Sequence, residues 1–368
     1  MLQLKANIGK LVPATHGGIN YSELEKLGIS PESVLDFSVS INPFGPPPGI
    51  EQALSSASID SYPDCEATEL GQSLAKKLSI SPDNLLIGSG STELIRLVVI
   101  AYFGAEDSIL IPQPTYGDYE VACHLVRTRV LKQPLTEETN FHINITETVD
   151  LIRKHQPKGI FLCNPNNPTG QYLSKEEVKQ ILSAAKDSLV ILDEAYIAFT
   201  EAAWASLDLV GWGNLVILRS MTKDYALAGL RLGYAVACEP IISILKRVRP
   251  PWNVSSVAQK AGIIALNDNT YLKVCGIKIR EAKKFLIKEL TSLGLSPLPS
   301  PTNFFLVKVG NGTGFKQALL KRGILVRDCA SFGLPDYVRL APRSIPECQK
   351  LIDTIKRLKG SGELCASV

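Results

Sequence analysis

The 368-residue chain has little of several features that would restrict its function. Its four histidines include no pair with metal-ligand spacing, and its eight cysteines include no Cys-x-x-Cys pair. No apolar run approaches the length of a membrane span, and the first residues lack the apolar core of a signal peptide. With 39 basic and 36 acidic residues, the charge balance indicates neither a nucleic acid nor a membrane partner. These absences favour a soluble cytoplasmic enzyme without a metal.

Short apolar runs alternate with helical patterns over the first 250 residues. Strands are predicted at Leu85–Ile87, Ser108–Ile111, Leu125–Leu131, Ile160–Cys163, Val190–Asp193, Leu215–Arg219 and Leu232–Cys238. Helices are predicted at Glu66–Leu78, Thr92–Phe103 and Ser174–Ala185, and capping boxes at Ser174 with Glu177 and at Ser344 with Glu347. The alternation predicts an α/β fold with a largely parallel sheet, whose ligands bind at the carboxyl ends of the strands.

The pattern changes after residue 251. A long helix is predicted from about residue 269 to 293, followed by strands at Asn303–Val309, Ile324–Arg327 and Tyr337–Leu340 and by a final helix. We therefore expect residues 46–250 to form a large domain and residues 251–368 a smaller α+β domain, which an arm of residues 1–45 joins.

Lys223 lies in a segment that combines an amine with an acid upstream and an arginine downstream. Pyridoxal phosphate requires an amine to form an imine, a carboxylate for its pyridine nitrogen and cationic or hydroxyl donors for its phosphate. Lys223, Asp193 and Arg231, with Ser220 and Thr222, can supply all three. Taken singly, the lysine could be a solvated surface residue and the aspartate a helix cap.

Three segments in a fixed order give these residues more weight. They are NPNNPTG from Asn164, DEAY from Asp193 and SMTK followed by GLRLGY from Ser220, each at or just after the end of a predicted strand. In these segments the chain resembles the fold-type I pyridoxal-phosphate enzymes, the aspartate aminotransferase superfamily, over nearly its full length. The resemblance implies a large, mostly parallel sheet domain, a smaller α+β domain, and catalytic roles for Lys223, Asp193 and Tyr196.

The segment GSGSTE from Gly88 follows a predicted strand and opens a helix. Backbone N–H groups at a helix N-terminus suit a phosphate, although Ser and Thr cap helices in many proteins. The resemblance implies that Gly90, Ser91 and Thr92 hold the cofactor phosphate.

Four further cofactor contacts are implied by the resemblance alone. Tyr116 matches an aromatic residue that covers the cofactor, and Asn167 and Tyr196 match residues that donate to its ring oxygen. Tyr62 matches a tyrosine that reaches the phosphate from the neighbouring subunit, which implies a homodimer. Packing is the alternative role for both Tyr62 and Tyr116.

The substrate contacts implied by the resemblance lie near both chain ends. Arg339 matches an arginine that holds an anionic substrate group with a planar guanidinium, and Arg327 matches a second arginine in members with phosphorylated substrates. With Asn167, His16 and Asn42, they make up the predicted substrate-binding set. Both arginines could instead form surface ion pairs.

The N-terminal segment points to one branch of the superfamily. HGG from His16, DFSVSINPFGPPP from Asp36 and RDCASF from Arg327 together resemble the threonine-phosphate decarboxylases of cobalamin biosynthesis. That resemblance implies decarboxylation of L-threonine O-3-phosphate to 1-amino-2-propanol phosphate. The closely similar histidinol-phosphate aminotransferases are the alternative, and a non-catalytic pyridoxal-phosphate sensor is a third possibility.

Overall fold

The computed structural model describes residues 6–9, 11–268 and 270–364. Its strands are β1 (Leu35–Asp36), β2 (Leu85–Gly88), β3 (Ser108–Gln113), β4 (Arg129–Pro134), β5 (Gly159–Cys163), β6 (Leu189–Asp193), β7 (Leu215–Ser220), β8 (Gly233–Ala237), β9 (Ser296–Pro297), β10 (Phe305–Lys308), β11 (Ile324–Leu325), β12 (Arg327–Asp328) and β13 (Tyr337–Leu340). Its helices are α1 (Ala6–Gly9), α2 (Tyr21–Leu27), α3 (Ile50–Ser56), α4 (Thr68–Leu78), α5 (Gly90–Tyr102), α6 (Asp118–Leu125), α7 (Ile145–His155), α8 (Lys175–Ala184), α9 (Met221–Asp224), α10 (Glu239–Val248), α11 (Ser256–Asn267), α12 (Tyr271–Ser292), α13 (Gly312–Leu320) and α14 (Ile345–Gly360).

A seven-stranded sheet organises the first two thirds of the chain. Its strand order is β2-β8-β7-β6-β5-β3-β4, and all neighbours run parallel except β8, which is antiparallel to β2 and β7. Because β5, β6 and β7 are parallel neighbours, their carboxyl ends meet at one edge of the sheet. This confirms the predicted α/β class with a largely parallel sheet.

Helices cover both faces of this sheet. Every residue of β5 and β6 is buried, as expected for strands with two covered faces. Ile160 and Leu162 pack into a cluster with α4, α8 and α11, whereas Phe161 between them packs into a cluster with α5, α6 and α10. The uninterrupted apolar runs in the sequence therefore reflect two cores, one on each face.

The C-terminal part has its own sheet and core. Its sheet has the order β12-β13-β10-β9 with antiparallel neighbours, and α12, α13 and α14 enclose a separate cluster that includes Phe305, Val338 and Leu351. Near the start of the chain, β1 pairs in parallel with β11. The proposed boundaries at residues 45 and 250 remain predictions.

Local signals predicted most elements to within a few residues, and both capping boxes are confirmed. The strand predicted at Leu125–Leu131 is wrong in its first half. Helix α6 continues to Leu125, Arg127 takes a left-handed turn conformation with φ +69°, and β4 begins only at Arg129. The strand predicted at Ile324–Arg327 is divided into β11 and β12, which belong to different sheets. Residue 269, the expected start of the long helix, lies outside the described residues.

In the described part of the chain, no helix combines the length and apolar character needed to cross a membrane.

Gly159 tests the packing between β5 and α5. A Cβ atom at this position would lie 2.4 Å from the ring of Phe103, which is itself buried. We expect Gly159→Ala to lower the free energy of unfolding by about 1–3 kcal/mol, because the ring must move within a filled core. Chemical denaturation measures the change. The matched control is Gly211→Ala, whose added Cβ meets no atom within 4 Å. Equal stability of the two variants would contradict this account.

Candidate active site

A cavity of about 430 Å³ lies at the carboxyl edge of the large sheet. It is bounded by the residues that end or follow β5, β6 and β7 and by the N-terminal segment around His16. The predicted site residues that line it are His16, Ser91, Thr92, Tyr116, Asn167, Asp193, Tyr196, Thr222, Lys223, Arg231, Arg327 and Arg339. Residues far apart in the sequence are thus brought together as the resemblance implied. Their individual roles remain predictions.

Asp193 ends β6 at the floor of the cavity and is only 3% exposed. Its Oδ2 accepts a hydrogen bond of 2.7 Å from the hydroxyl of Tyr119, and its Oδ1 accepts one of 3.0 Å from the backbone N–H of Ala195. Burial raises the pKa of Asp193, whereas these two donors and the charge of Lys223 oppose the rise. The two hydrogen bonds therefore hold the carboxylate in place. Because it is buried, a cationic or N–H partner would stabilise it.

Lys223 faces the same space from α9, directly after β7. Its Nζ donates to the hydroxyl of Thr222 over 3.0 Å and lies 5.7 Å from the ring centroid of Tyr196. Burial lowers the pKa of Lys223, while the charge of Asp193 works in the opposite direction. A lysine with a lowered pKa has a larger neutral fraction, which is the form that attacks a carbonyl group.

The proposed phosphate end is formed by the start of α5 and the segment before β8. Gly90 has φ +78°, and a Cβ there would lie 2.9 Å from Nη2 of Arg231. Glycine is therefore needed both for the turn and for the close approach of the guanidinium. Ser220 and Thr222 share a hydroxyl hydrogen bond of 2.6 Å. Gly90 and Ser220 support this end of the cavity without lining it.

Two tyrosines flank the lysine side of the cavity. The hydroxyl of Tyr116 lies 3.4 Å from that of Thr92, and burial raises the pKa of Tyr116 well above its ordinary value. Burial also raises the pKa of Tyr196 to about 12, although the charge of Arg339 opposes the shift. Both side chains therefore stay neutral near pH 7 and keep an O–H group that can donate.

Arg339 is a buried cation on the substrate side, only 5% exposed. Its Nη1 donates to Oδ1 of Asn167 and its Nη2 to the carbonyl of Ser38 over 2.7 Å. Its Nε is buried and has no hydrogen-bond partner among the described residues, and no described carboxylate lies within ion-pair distance. A buried guanidinium without a counter-ion suits an anionic ligand.

Arg327 lies beside Arg339 on the neighbouring strand, where β12 pairs with β13. Its guanidinium donates to the carbonyls of Thr15 and Asp328 and to the hydroxyl of Ser331, each over 2.7 Å. Burial lowers the pKa of Arg327, and the charge of Arg339 adds to the effect. Two like charges therefore face a common space, which favours an anion between them.

Besides Gly90 and Ser220, two further predicted residues lie outside the cavity lining, Asn42 and Tyr62. The amide Nδ2 of Asn42 donates to the carbonyl of Asp224 and to the hydroxyl of Tyr271, each over 3.0 Å. Its backbone N–H donates to the carbonyl of Lys223 over 2.9 Å, so Asn42 supports the lysine segment. Its contact with the substrate remains a prediction. Tyr62 is 79% exposed and stacks on Trp252 with ring centroids 4.4 Å apart.

Sequence reasoning missed three residues that shape the site. Tyr119 holds Asp193, Ser38 accepts from Arg339, and Asp118 lines the cavity beside His16. Asp118 and Tyr119 follow Tyr116 closely in the sequence, and Ser38 lies in the segment DFSVSINPFGPPP. Proximity to these segments was the available signal, but the sequence alone does not show that these side chains face the cavity.

The sequence model for aminotransferase class I and II matches residues 32–355. The chain belongs to this family. A histidinol-phosphate aminotransferase from Thermoanaerobacter pseudethanolicus is 34% identical over 312 residues, which cover 84% of this chain and 87% of the relative.

Two solved structures have the same architecture as this chain. Histidinol-phosphate aminotransferase from Sinorhizobium meliloti, in complex with pyridoxal-5'-phosphate, aligns with a TM-score of 0.85 and 25% identity over 97% of this chain and 99% of that one. L-threonine-O-3-phosphate decarboxylase from Porphyromonas gingivalis aligns with a TM-score of 0.77 and 27% identity over 89% and 100%. These findings confirm the fold-type I class and the dependence on pyridoxal phosphate.

The residues at the floor fit this cofactor. Asp193 is a buried carboxylate that demands an N–H partner, Lys223 is an amine with a lowered pKa, and the Gly90 turn lies against a guanidinium that can bind phosphate. Aromatic and amide groups above them can hold a planar ring.

We predict that Lys223 carries the covalent link to the cofactor. After loading with pyridoxal phosphate and reduction with borohydride, the intact mass of the wild type should increase by about one cofactor per chain. Lys223→Ala should show no increase, because it removes the lysine that lines the cavity together with Asp193. Lys186→Ala removes an exposed lysine and serves as the control. An unchanged adduct in Lys223→Ala would exclude this assignment.

We predict that Tyr119 supports cofactor binding through Asp193. Tyr119→Phe removes the O–H donor to a buried carboxylate, so the dissociation constant for pyridoxal phosphate should rise by roughly tenfold or more. Fluorescence titration of the cofactor-free protein measures it. Tyr102→Phe is the matched control, since the buried hydroxyl of Tyr102 has no hydrogen-bond partner among the described residues. Equal affinities for both variants would show that the hydrogen bond is not needed.

Proposed function

We propose that this enzyme acts on a small amine that carries a phosphate group. Arg327 and Arg339 provide two buried guanidinium groups, neither of which forms an ion pair with a described carboxylate, and His16 lies beside Asp118 in the same cavity wall. A substrate with one anionic group would leave part of this charge uncompensated. A phosphorylated amino compound supplies enough negative charge for the set.

We further propose that the reaction is decarboxylation of L-threonine O-3-phosphate to (R)-1-amino-2-propanol O-2-phosphate, as the N-terminal motifs imply. The supporting observation is that these motifs contact one another beside both arginines. The N–H of Gly18 donates to Oγ of Ser38 over 2.7 Å, and a Cβ on Gly17 would lie 2.6 Å from the carbonyl oxygen of Ser38. That same carbonyl accepts from Arg339. The HGG segment and the DFS segment thus lie together beside Arg339, where we propose that the substrate binds.

Transamination of histidinol phosphate is the second candidate, and the named relatives support it more directly. The relative from Thermoanaerobacter pseudethanolicus and the structure with the higher TM-score are both histidinol-phosphate aminotransferases. Both candidate substrates carry a phosphate and an amine, so the arginine pair suits either. A non-catalytic role has no support from the site, since Lys223 faces the cavity with its carboxylate partner.

The bound cofactor supplies an electron-accepting ring that weakens whichever bond at the substrate's α carbon stands perpendicular to the ring plane. The chain decides which bond that is. Arg339 and Arg327 can hold the anionic groups, so they fix the rotation about the bond from nitrogen to the α carbon. Decarboxylation requires the carboxylate out of the plane, and transamination requires the hydrogen there. The Nζ of Lys223, or a water molecule, can return a proton to that carbon.

A homodimer is part of the same proposal. The exposed Tyr62 and Trp252 form an aromatic pair on the surface, and large exposed aromatic side chains favour a protein interface. In that dimer Tyr62 would reach the cofactor phosphate of the partner subunit. The cytoplasmic location also remains a prediction.

Product analysis separates the two reactions. The cofactor-loaded enzyme is incubated with L-threonine O-3-phosphate in the absence of any keto acid, and carbon dioxide release is followed. Steady turnover supports decarboxylation. Without release, formation of glutamate from histidinol phosphate and 2-oxoglutarate would reject decarboxylation in favour of the aminotransferase.

Arg339→Ala tests the proposed anion contact with whichever substrate is active. We expect the Michaelis constant to rise by at least ~10-fold, because the substrate loses a charged hydrogen-bond donor in a buried site. The cofactor should still bind, since Asp193 keeps both of its hydrogen-bond donors, Tyr119 and Ala195. Arg343→Ala serves as the control because Arg343 pairs with Glu347 on α14. An unchanged Michaelis constant would remove Arg339 from the substrate site.

A further inference from the structure

Asp118 is a buried acid that the proposed reaction does not use. It is the first residue of α6, it is buried, and it lines the cavity two residues after Tyr116. Within the described chain, its Oδ2 is buried without a hydrogen-bond partner. A buried carboxylate without a partner is costly, so the location of its counter-charge matters.

His16 is the basic group next to Asp118. Its Nε2 lies 3.3 Å from Oδ2 of Asp118, and the side chain of Asp118 is 10% exposed against 53% for that of His16. The imidazole also lies against the ring of Tyr116, with centroids 5.9 Å apart. The arginines on this side bond elsewhere: Arg327 to Thr15, Asp328 and Ser331, and Arg339 to Asn167 and Ser38.

The backbone around His16 is held without help from Asp118. On one side, the carbonyl of Thr15 accepts from Arg327. On the other side, Gly17 and Gly18 pack and hydrogen-bond against Ser38. Loss of the Asp118 carboxylate would therefore leave the arm in place and remove the partner that orients the imidazole.

We propose that Asp118 is a positioning residue that orients the imidazole of His16 at the solvent-facing edge of the cavity, where the imidazole binds the substrate's phosphate. The inference rests on the proposed function only in requiring a phosphate-bearing substrate, and it holds for either candidate reaction. His16 would thus bind the anion directly, and Asp118 would act through it.

The sign of the effect distinguishes this role from simple electrostatics. A carboxylate beside an anion site repels the anion, so its neutralisation alone should strengthen phosphate binding. If Asp118 acts through His16, its neutralisation releases the imidazole from its position and phosphate binding weakens. The two accounts predict opposite changes for the same isosteric substitution.

The experiment measures binding of inorganic phosphate to the cofactor-loaded protein by calorimetry. The proteins compared are the wild type, Asp118→Asn, His16→Gln, the double variant and Glu120→Gln. Glu120 is the matched control, since it is an acid on the same helix whose carboxylate bonds to Gln113 and Lys132. Phosphate binding needs no turnover, so the result does not depend on which reaction the enzyme catalyses.

We expect Asp118→Asn and His16→Gln each to weaken phosphate binding by roughly 5–10-fold, and the double variant to bind no more weakly than His16→Gln alone. Glu120→Gln should stay within about twofold of the wild type. Unchanged or tighter phosphate binding in Asp118→Asn overturns the inference. It is also overturned if the effects of the two substitutions add up in the double variant, or if the wild type does not bind phosphate. Failure of the proposed reactions would instead appear as lack of turnover with both substrates.

Discussion

A carboxylate buried at the end of a central parallel strand places the strongest constraint on this structure. Burial raises the pKa of Asp193, whereas a phenol, a backbone N–H and a nearby ammonium group oppose this rise. The opposite charge of Lys223 is also buried, and its pKa falls for the same reason. Neither group is fully compensated by the other. Two buried ionisable groups of this kind are costly, and a ligand that binds both of them stabilises the fold.

Glu194, the residue after Asp193, is a second buried acid with a different environment. Asp193 faces the cavity, whereas Glu194 accepts from Arg219 over 2.9 Å and from Ser206 over 2.8 Å. Both carboxylates are buried, but Glu194 has a guanidinium partner from β7 and Asp193 does not. Glu194 therefore anchors the loop after β6, and that anchoring fixes the direction of Asp193. Glu194 thus has a structural role, and Asp193 remains available to a ligand in the cavity.

The sequence predicted the floor of the site better than its walls. Lys223, Asp193 and the Asn164–Gly170 loop follow apolar strands, and the carboxyl ends of parallel neighbours meet, so a local pattern was enough to bring them together. The contact of Asn42 with Asp224 could not be predicted, because the two residues are distant in sequence and no local pattern reports such a contact. The error at Leu125–Leu131 has a similar origin, since the turn at Arg127 uses a left-handed conformation without a glycine to signal it.

The charges on the substrate wall explain why similarity of the whole chain does not decide the reaction. The floor is shared by enzymes that remove a carboxylate and by enzymes that move an amine, because both need the same cofactor contacts. The wall is different: Arg327 gives three hydrogen bonds to the protein, one of which holds the arm at Thr15, and Arg339 retains a free Nε. An anion that binds Arg339 also relieves its repulsion with Arg327, whose pKa is lowered by burial and, in addition, by the charge of Arg339. The guanidinium group that holds the arm at Thr15 is thus a direct neighbour of the one proposed to bind the anion. In the proposed reaction, the orientation of the substrate's α carbon depends on this wall, and with it the choice of the bond that breaks.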